Sequence, residues 1–328
     1  MNIGKMRGMQ EISTPEGFIT VLALDQRGSL FKALGMEKSD PALYKKVREF
    51  KKTTTTELIS DCSAVLLDPQ FAAAEAINEG WISGQKGLIV ALEETGYVDS
   101  PDGRLNPFIS NWSLSKAKRM GASAAKLLAY YDPRMMKLAE HQTRFISEIV
   151  DGSKELDFPF LLEPMSYSSD PNIPKNSAEF AKIRPQIVRD TAEQLGALGV
   201  DLLKLEFPCD TAFEHDRSVW LKACEAITKV SPVPWVLLSA GVDFGVFKDQ
   251  LEVACRAGAS GFVAGRAIWK EAAALKDHDR TDFLATTGAQ RMRQLVEVVN
   301  QNARPWKDAL PSKPNFIDQG WINTYQDF

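Results

Sequence analysis

Histidine is scarce in these 328 residues, and cysteine is sparse and unpatterned. His141, His215 and His278 make neither an H-x-H nor an H-E-x-x-H spacing, and none falls in a strand-like run. No metal and no other cofactor is therefore expected. Cys62, Cys209, Cys224 and Cys255 include no C-x-x-C pair, which argues against a zinc ribbon or a dithiol redox site. Their apolar flanks predict buried free thiols in a reducing, cytoplasmic compartment. A basic excess is also missing: 39 Lys+Arg stand against 43 Asp+Glu, a net charge of −4, which disfavours nucleic acid as a partner. No apolar run approaches the roughly 18–20 residues that cross a bilayer, so no membrane partner is expected. The N-terminal stretch meets Glu11 and Glu16 before its first apolar segment and shows no small-residue cleavage site, which predicts no signal peptide. Neither a G-x-S-x-G elbow nor a G-x-G-x-x-G loop is present.

What the chain does have is alternation. Short apolar runs recur at Phe18–Leu24, Ala64–Asp68, Gly87–Leu92, Ala124–Tyr130, Phe158–Glu163, Asp201–Phe207, Trp235–Ser239 and Gly261–Gly265. Amphipathic stretches separate most of them: Pro41–Ser60, Ser113–Met120, Arg134–Val150, Ser177–Leu198, Asp216–Thr228, Val246–Ala257 and Ala267–Leu275. Strand–helix alternation implies parallel pairing, and eight such units close most naturally into a (β/α)8 TIM barrel. The doubly wound open sheet, an α/β competitor, would want the missing glycine fingerprint after the first strand. One domain is predicted over residues 1–306, with an extra terminal helix. Residues 307–328 would form a tail packed on the barrel or on a second subunit. Long loops at Glu93–Asn111, Pro164–Asn176 and Pro208–His215 follow the third, fifth and sixth strands, the side where a barrel keeps its substrate contacts.

Charges inside apolar strands are costly unless paired, so each needs a reason. The first strand ends in Asp25-Gln26-Arg27, the second in Asp68, the third in Glu93-Glu94 and the fifth in Glu163; Lys126 lies within the fourth. In the sixth, Lys204 and Glu206 share one face while Leu203 and Leu205 take the other, which turns the charged pair toward the barrel axis. Two lysines and a carboxylate in a confined space suit Schiff-base chemistry, because desolvation and a neighbouring cation favour a neutral amine. A buried Lys–Glu network that only holds the barrel together is the competing reading. The seventh and eighth strands end in Ser239-Ala240-Gly241 and Gly265-Arg266, turns that suit the usual phosphate site of this fold.

Seven ordered motifs, Leu22–Gly28, Leu66–Pro69, Glu94–Tyr97, Ala125–Asp132, Leu203–Pro208, Leu238–Val242 and Gly265–Trp269, resemble the tagatose 1,6-bisphosphate aldolase family. The resemblance implies a metal-independent class I aldolase that cleaves a ketose 1,6-bisphosphate to dihydroxyacetone phosphate and glyceraldehyde 3-phosphate. It implies Lys204 as the Schiff-base lysine, Glu163 for proton transfer, Lys126 as the neighbouring cation, and Asp25 and Gln26 at the sugar hydroxyls. Ser239, Gly241, Gly265 and Arg266 would hold the 1-phosphate. Arg27, Asp68, Glu206 and Ala240 complete the candidate substrate contacts. Pro234–Leu238 and Gly258–Arg266 look closer to the related sulfofructose-phosphate aldolases, so a sulfofructose 1-phosphate substrate is the alternative within enzymes. A catalytically silent sugar-phosphate-binding barrel is the alternative outside them. The resemblance also suggests a homo-oligomer, a dimer or larger.

Overall fold

The computed structural model describes residues 1–100, 103–168, 170, 172–310 and 320–325. Eight parallel strands close a barrel: β1 (Ile19–Leu24), β2 (Ala64–Leu67), β3 (Gly87–Ala91), β6 (Ala124–Tyr130), β7 (Phe160–Met165), β8 (Leu202–Leu205), β9 (Trp235–Leu238) and β10 (Gly261–Ala264). Two short strands, β4 (Val98–Ser100) and β5 (Gly103–Leu105), pair antiparallel outside it. The (β/α)8 prediction holds, with each of the eight strand-like runs at a barrel position. The β4–β5 hairpin, hidden inside the long loop after β3, had no apolar period to mark it.

Alternation sorts the strand residues into two layers. Leu22, Leu24, Val65, Leu67, Val90, Leu127, Leu162, Leu203, Leu205 and Leu237 pack outward against helices such as Leu43–Leu58, Ala178–Gly196, Arg217–Val230 and Phe244–Arg256. Their neighbours Val21, Leu66, Ile89, Leu161, Leu202, Val236 and Val263 fill the interior. Side-chain caps start several outer helices: Ser113, Ser177 and Asp216 accept from the backbone N–H of Lys116, Phe180 and Ser218.

The lower end of the barrel is sealed by the N-terminal helix Ile3–Glu11 and the segment after Ala289–Asn302. Met9, Ile12 and Trp306 are fully buried within the interior cluster. Lys5 Nζ binds Asp201 Oδ2 at 2.7 Å, and the Trp306 indole donates to Ser13 Oγ at 3.1 Å. Part of the tail is described: Tyr325 donates to Asp157 Oδ2 at 2.6 Å, and Trp321 and Tyr325 are partly exposed. Residues 311–319 and 326–328, including Phe328, lie outside the described residues. Among the described residues no helix is long and apolar enough to cross a membrane.

Candidate active site

One step above the apolar interior, each inward position reaches the upper mouth of the barrel. Ala23 is followed on its face by Asp25, Ala91 by Glu93, Ala124 by Lys126, Leu161 by Glu163 and Leu202 by Lys204. Parallel register sets β6, β7 and β8 side by side, Leu128 beside Glu163 and Leu162 beside Leu203, so Glu163 stands between the two lysines. All five charged groups are buried and line a cavity of about 330 Å³.

Lys126 Nζ contacts three carboxylates: Asp25 Oδ2 at 2.8 Å, Glu93 Oε1 at 2.6 Å and Glu163 Oε2 at 2.7 Å. Among the described residues Lys204 Nζ contacts one, Glu163 Oε1 at 2.9 Å. Burial works against the Lys126 charge, but the three surrounding carboxylates outweigh it and hold its ammonium well above the usual lysine range. Burial pushes Asp25 up; the charges of Lys126 and Lys204, with the Lys126 hydrogen bond, overcome it and keep this carboxyl well below its ordinary range. Glu93 goes the other way, raised chiefly by burial and further by Asp25, against the pull of Lys126 and Arg27. Asp25 Oδ1 and Gln26 Oε1 are buried without a hydrogen-bond partner in a chain that lines this cavity, which leaves them as acceptors for hydroxyl groups of a bound molecule. Glu163 Oε2 also lacks hydrogen-bond geometry despite its short approach to Lys126.

The opposite wall is built from the ends of β9 and β10. Ala240 and Gly241 take successive positive φ values of 48° and 83°, closing a turn in which Val242 N donates to Ser239 O at 3.1 Å. A Cβ on Gly241 would stand 3.1 Å from Arg266 Cζ, so the missing side chain is what lets the guanidinium lie across this turn. A Cβ on Gly265 would meet Ala23 O at 2.3 Å, a closeness only glycine permits at the β10–β1 seam. Ser239, Ala240, Gly265 and Arg266 line the cavity, while Gly241 sits behind Arg266.

The structure thus brings together Asp25, Gln26, Arg27, Lys126, Glu163, Lys204, Ser239, Ala240, Gly265 and Arg266. It does not bring Asp68 or Glu206 to the cavity lining. Asp68 is fully buried in an ion pair with Lys51 of the Leu43–Leu58 helix and accepts from Gln70 N and Phe71 N. Glu206, one residue past the end of β8, is drawn away from the cavity by partners in the loop after β7. It accepts from Ser166 N at 2.7 Å and Lys175 Nζ at 2.7 Å, which ties down the loop after β7. Glu93, Asn106 and Tyr130 line the cavity and were not singled out as site residues. For Glu93 the signal existed: Ile89, Ala91 and Glu93 follow the same alternation that marks Lys204.

A larger groove, about 960 Å³, opens at the other end of the barrel beside Arg7, Gly17, Lys86, Ser123 and Lys307. It holds none of the strand-end charges and lies at the face of this fold associated with stability.

Comparison with known proteins points to one family. Residues 19–271 match the family described as DeoC/LacD family aldolase. Tagatose 1,6-diphosphate aldolase of Staphylococcus haemolyticus is 32% identical, over 92% of this chain and 98% of that protein. Tagatose 1,6-diphosphate aldolase 2 of Enterococcus faecalis is 33% identical, over 93% and 96%. Among solved structures, an archaeal fructose 1,6-bisphosphate aldolase superposes with a TM-score of 0.56 at 20% identity, covering 90% of this chain and 99% of its own. Fructose-bisphosphate aldolase from Plasmodium falciparum gives 0.67 at 14%, covering 92% and 95%. At such identities the structural likeness concerns the fold.

Proposed function

The chain belongs to the DeoC/LacD family of aldolases, carbon–carbon lyases, and from that premise we propose that it cleaves a ketose 1,6-bisphosphate of the tagatose type through an imine on Lys204. The observation that carries this reading is the unequal sharing of carboxylates. Lys126 has three and stays a cation, whereas Lys204 has one, Glu163, which it shares. Lys126 is thereby fixed as the cation, which leaves Lys204 as the amine for the ketone, and a neutral amine is the nucleophile a ketone needs.

The reaction follows from the positions of these groups. Neutral Lys204 adds to the ketone carbon, and the carbinolamine hydroxyl, once protonated, leaves as water to give a protonated imine. The bond between carbons three and four then breaks. Its electron pair moves toward the imine to form an enamine, and the carbon-four hydroxyl gives up its proton as glyceraldehyde 3-phosphate departs. Protonation of the enamine at carbon three and hydrolysis release dihydroxyacetone phosphate and the free amine. Glu163 touches both lysines and is the group placed to carry these protons. Asp25 is held ionised and is a weak base, which suits it to accept a hydrogen bond from a sugar hydroxyl through Oδ1, beside Gln26 and Arg27. Arg266 with the turns at Ser239–Ala240 and Gly265 supplies the anion-binding wall for the 1-phosphate, so that remote binding fixes the carbonyl near the amine.

Borohydride reduction in the presence of dihydroxyacetone phosphate is expected to add the reduced ligand to the Lys204 peptide, and Lys204→Met is expected to abolish both adduct and turnover. A folded Lys204→Met protein with undiminished cleavage would overturn the assignment. A substrate panel reads the distal group. Turnover of sulfofructose 1-phosphate with none of the bisphosphates would place a sulfonate there, and sugar-phosphate binding without any turnover would favour a silent barrel.

A further inference from the structure

We propose that Glu93 is the positioning residue that decides which of the two buried lysines is free to lose its proton; the proposal rests on the Schiff-base reading above. Three carboxylates face this lysine pair, and two of them act on both lysines. Glu163 bridges both, 2.7 Å from Lys126 and 2.9 Å from Lys204. Asp25 hydrogen-bonds Lys126 and also feels the Lys204 charge. Glu93 binds Lys126, at 2.6 Å, and makes no contact with Lys204. Like Asp25 it touches Lys126 and not Lys204, and unlike Asp25 its charge is balanced by Lys126 and Arg27 rather than by Lys204.

The side chain is held to that task from both ends. Its second oxygen accepts from Leu128 N at 3.1 Å, and its backbone carbonyl accepts from Arg27 at 2.5 Å. Arg27 is anchored in turn on Gln70 Oε1 at 3.0 Å. Both carboxylate oxygens are hydrogen-bonded within the protein, and Glu93 acts through Lys126. Burying this carboxylate costs free energy, as its raised pKa records, and the return is a cation fixed at one position. Without it, Lys126 would keep Asp25 and the Glu163 it shares with Lys204, the difference between the two amines would narrow, and either could present a neutral amine to the ketone.

Glu93→Gln tests this in the full-length protein, since the amide keeps the size and can still accept from Leu128 N. Losing a contacting carboxylate lowers a lysine pKa by about one unit, which makes the neutral amine about tenfold more abundant. Borohydride trapping with dihydroxyacetone phosphate is expected to label Lys204 alone in the wild type, but Lys204 and Lys126 in E93Q. The alkaline limb of kcat/KM should move down by about one pH unit. A residue with a merely structural role would lower the rate at every pH and leave the label where it was. Glu93→Asp, which keeps the charge, should restore single-site labelling. An independent measurement uses the wild type: Nζ signals of 15N-lysine-labelled protein should show Lys204 losing its proton at lower pH than Lys126. Labelling of Lys204 alone in folded E93Q with an unmoved pH profile, or the reverse order of deprotonation, would overturn the proposal. A wild-type protein that labels no lysine would sink the Schiff-base reading itself, which is a different result.

Discussion

Lys126 is worth more to this protein than its single charge suggests, because three buried carboxylates converge on it. Lys126→Met would strip Asp25 and Glu93 of their contacting cation and leave Glu163 with Lys204 alone, and the expected loss is about 3–5 kcal/mol. Lys204→Met removes a partner from Glu163, which still has Lys126, so the expected loss there is smaller, about 1–2 kcal/mol. Urea midpoints at pH 7 test the order; equal losses would contradict it. The pH dependence should invert. In the wild type the depressed Asp25 contributes stability that is present above its unfolded pKa and is lost as pH falls through its folded value. In Lys126→Met the carboxylates are raised instead, so acidification from pH 7 toward 4 should recover part of the deficit. A variant whose deficit grows on acidification would rule this out. At this scale the sequence was informative wherever a strand was regular: Asp25, Lys126, Glu163 and Lys204 follow from alternation above an apolar layer. Glu206 and Asp68 share the parity of Lys204 and Leu66 and still leave the cavity, because partners outside it hold them: Lys51 takes Asp68, and Lys175 with Ser166 takes Glu206.

Elements that lack an apolar period were the ones the sequence concealed. The β4–β5 hairpin carries charged and small residues and sits over the mouth of the barrel, bracketed by the cavity-lining residues Gly96 and Asn106. Its hold on the barrel is aromatic. The Arg104 guanidinium carbon lies 4.2 Å from the ring centre of Tyr97, 5.2 Å from Tyr167 and 5.7 Å from Tyr130. Gln142 donates to the Arg104 carbonyl at 2.5 Å, and Asn106 accepts from Tyr130 N at 3.3 Å. None of these contacts is visible as a spacing, since the partners come from the loop after β3, from β6 and the Met136–Glu155 helix that follows it, and from the loop after β7. Cation–π contacts of this kind contribute about 1–2 kcal/mol when partly desolvated, so Arg104→Ala should speed amide exchange in the hairpin about five- to thirtyfold. It should also raise KM more than it lowers kcat, because Tyr130 and Asn106 line the cavity while Lys126 and Lys204 are held by their own carboxylates. Unchanged hairpin exchange would mean that the guanidinium stack does not secure it.

For the molecule as a whole, the two ends of the barrel do different work, and a variant at the lower end can separate stability from chemistry. The interior is a stack: strand residues such as Val21, Leu66 and Val263 in the middle, the charged layer above, and Met9, Ile12 and Trp306 below. The eight-strand count and the apolar patterning made the middle predictable. The plug was not, since the N-terminal helix and Trp306 are about three hundred residues apart and meet only because the barrel closes. The indole is fully buried, donates to Ser13 and caps the interior cluster, so truncation should leave a cavity that the surrounding strands cannot collapse into. Trp306→Ala is therefore expected to cost about 3–5 kcal/mol, read as a lower urea midpoint. Because Trp306 and Lys204 lie on opposite sides of a packed apolar layer, kcat of the folded fraction at low temperature should stay within about twofold of wild type, a change under ~0.5 kcal/mol. A fall in kcat at an unchanged midpoint would show that the lower plug tunes the upper layer through the barrel wall, and the separation of the two ends would not stand.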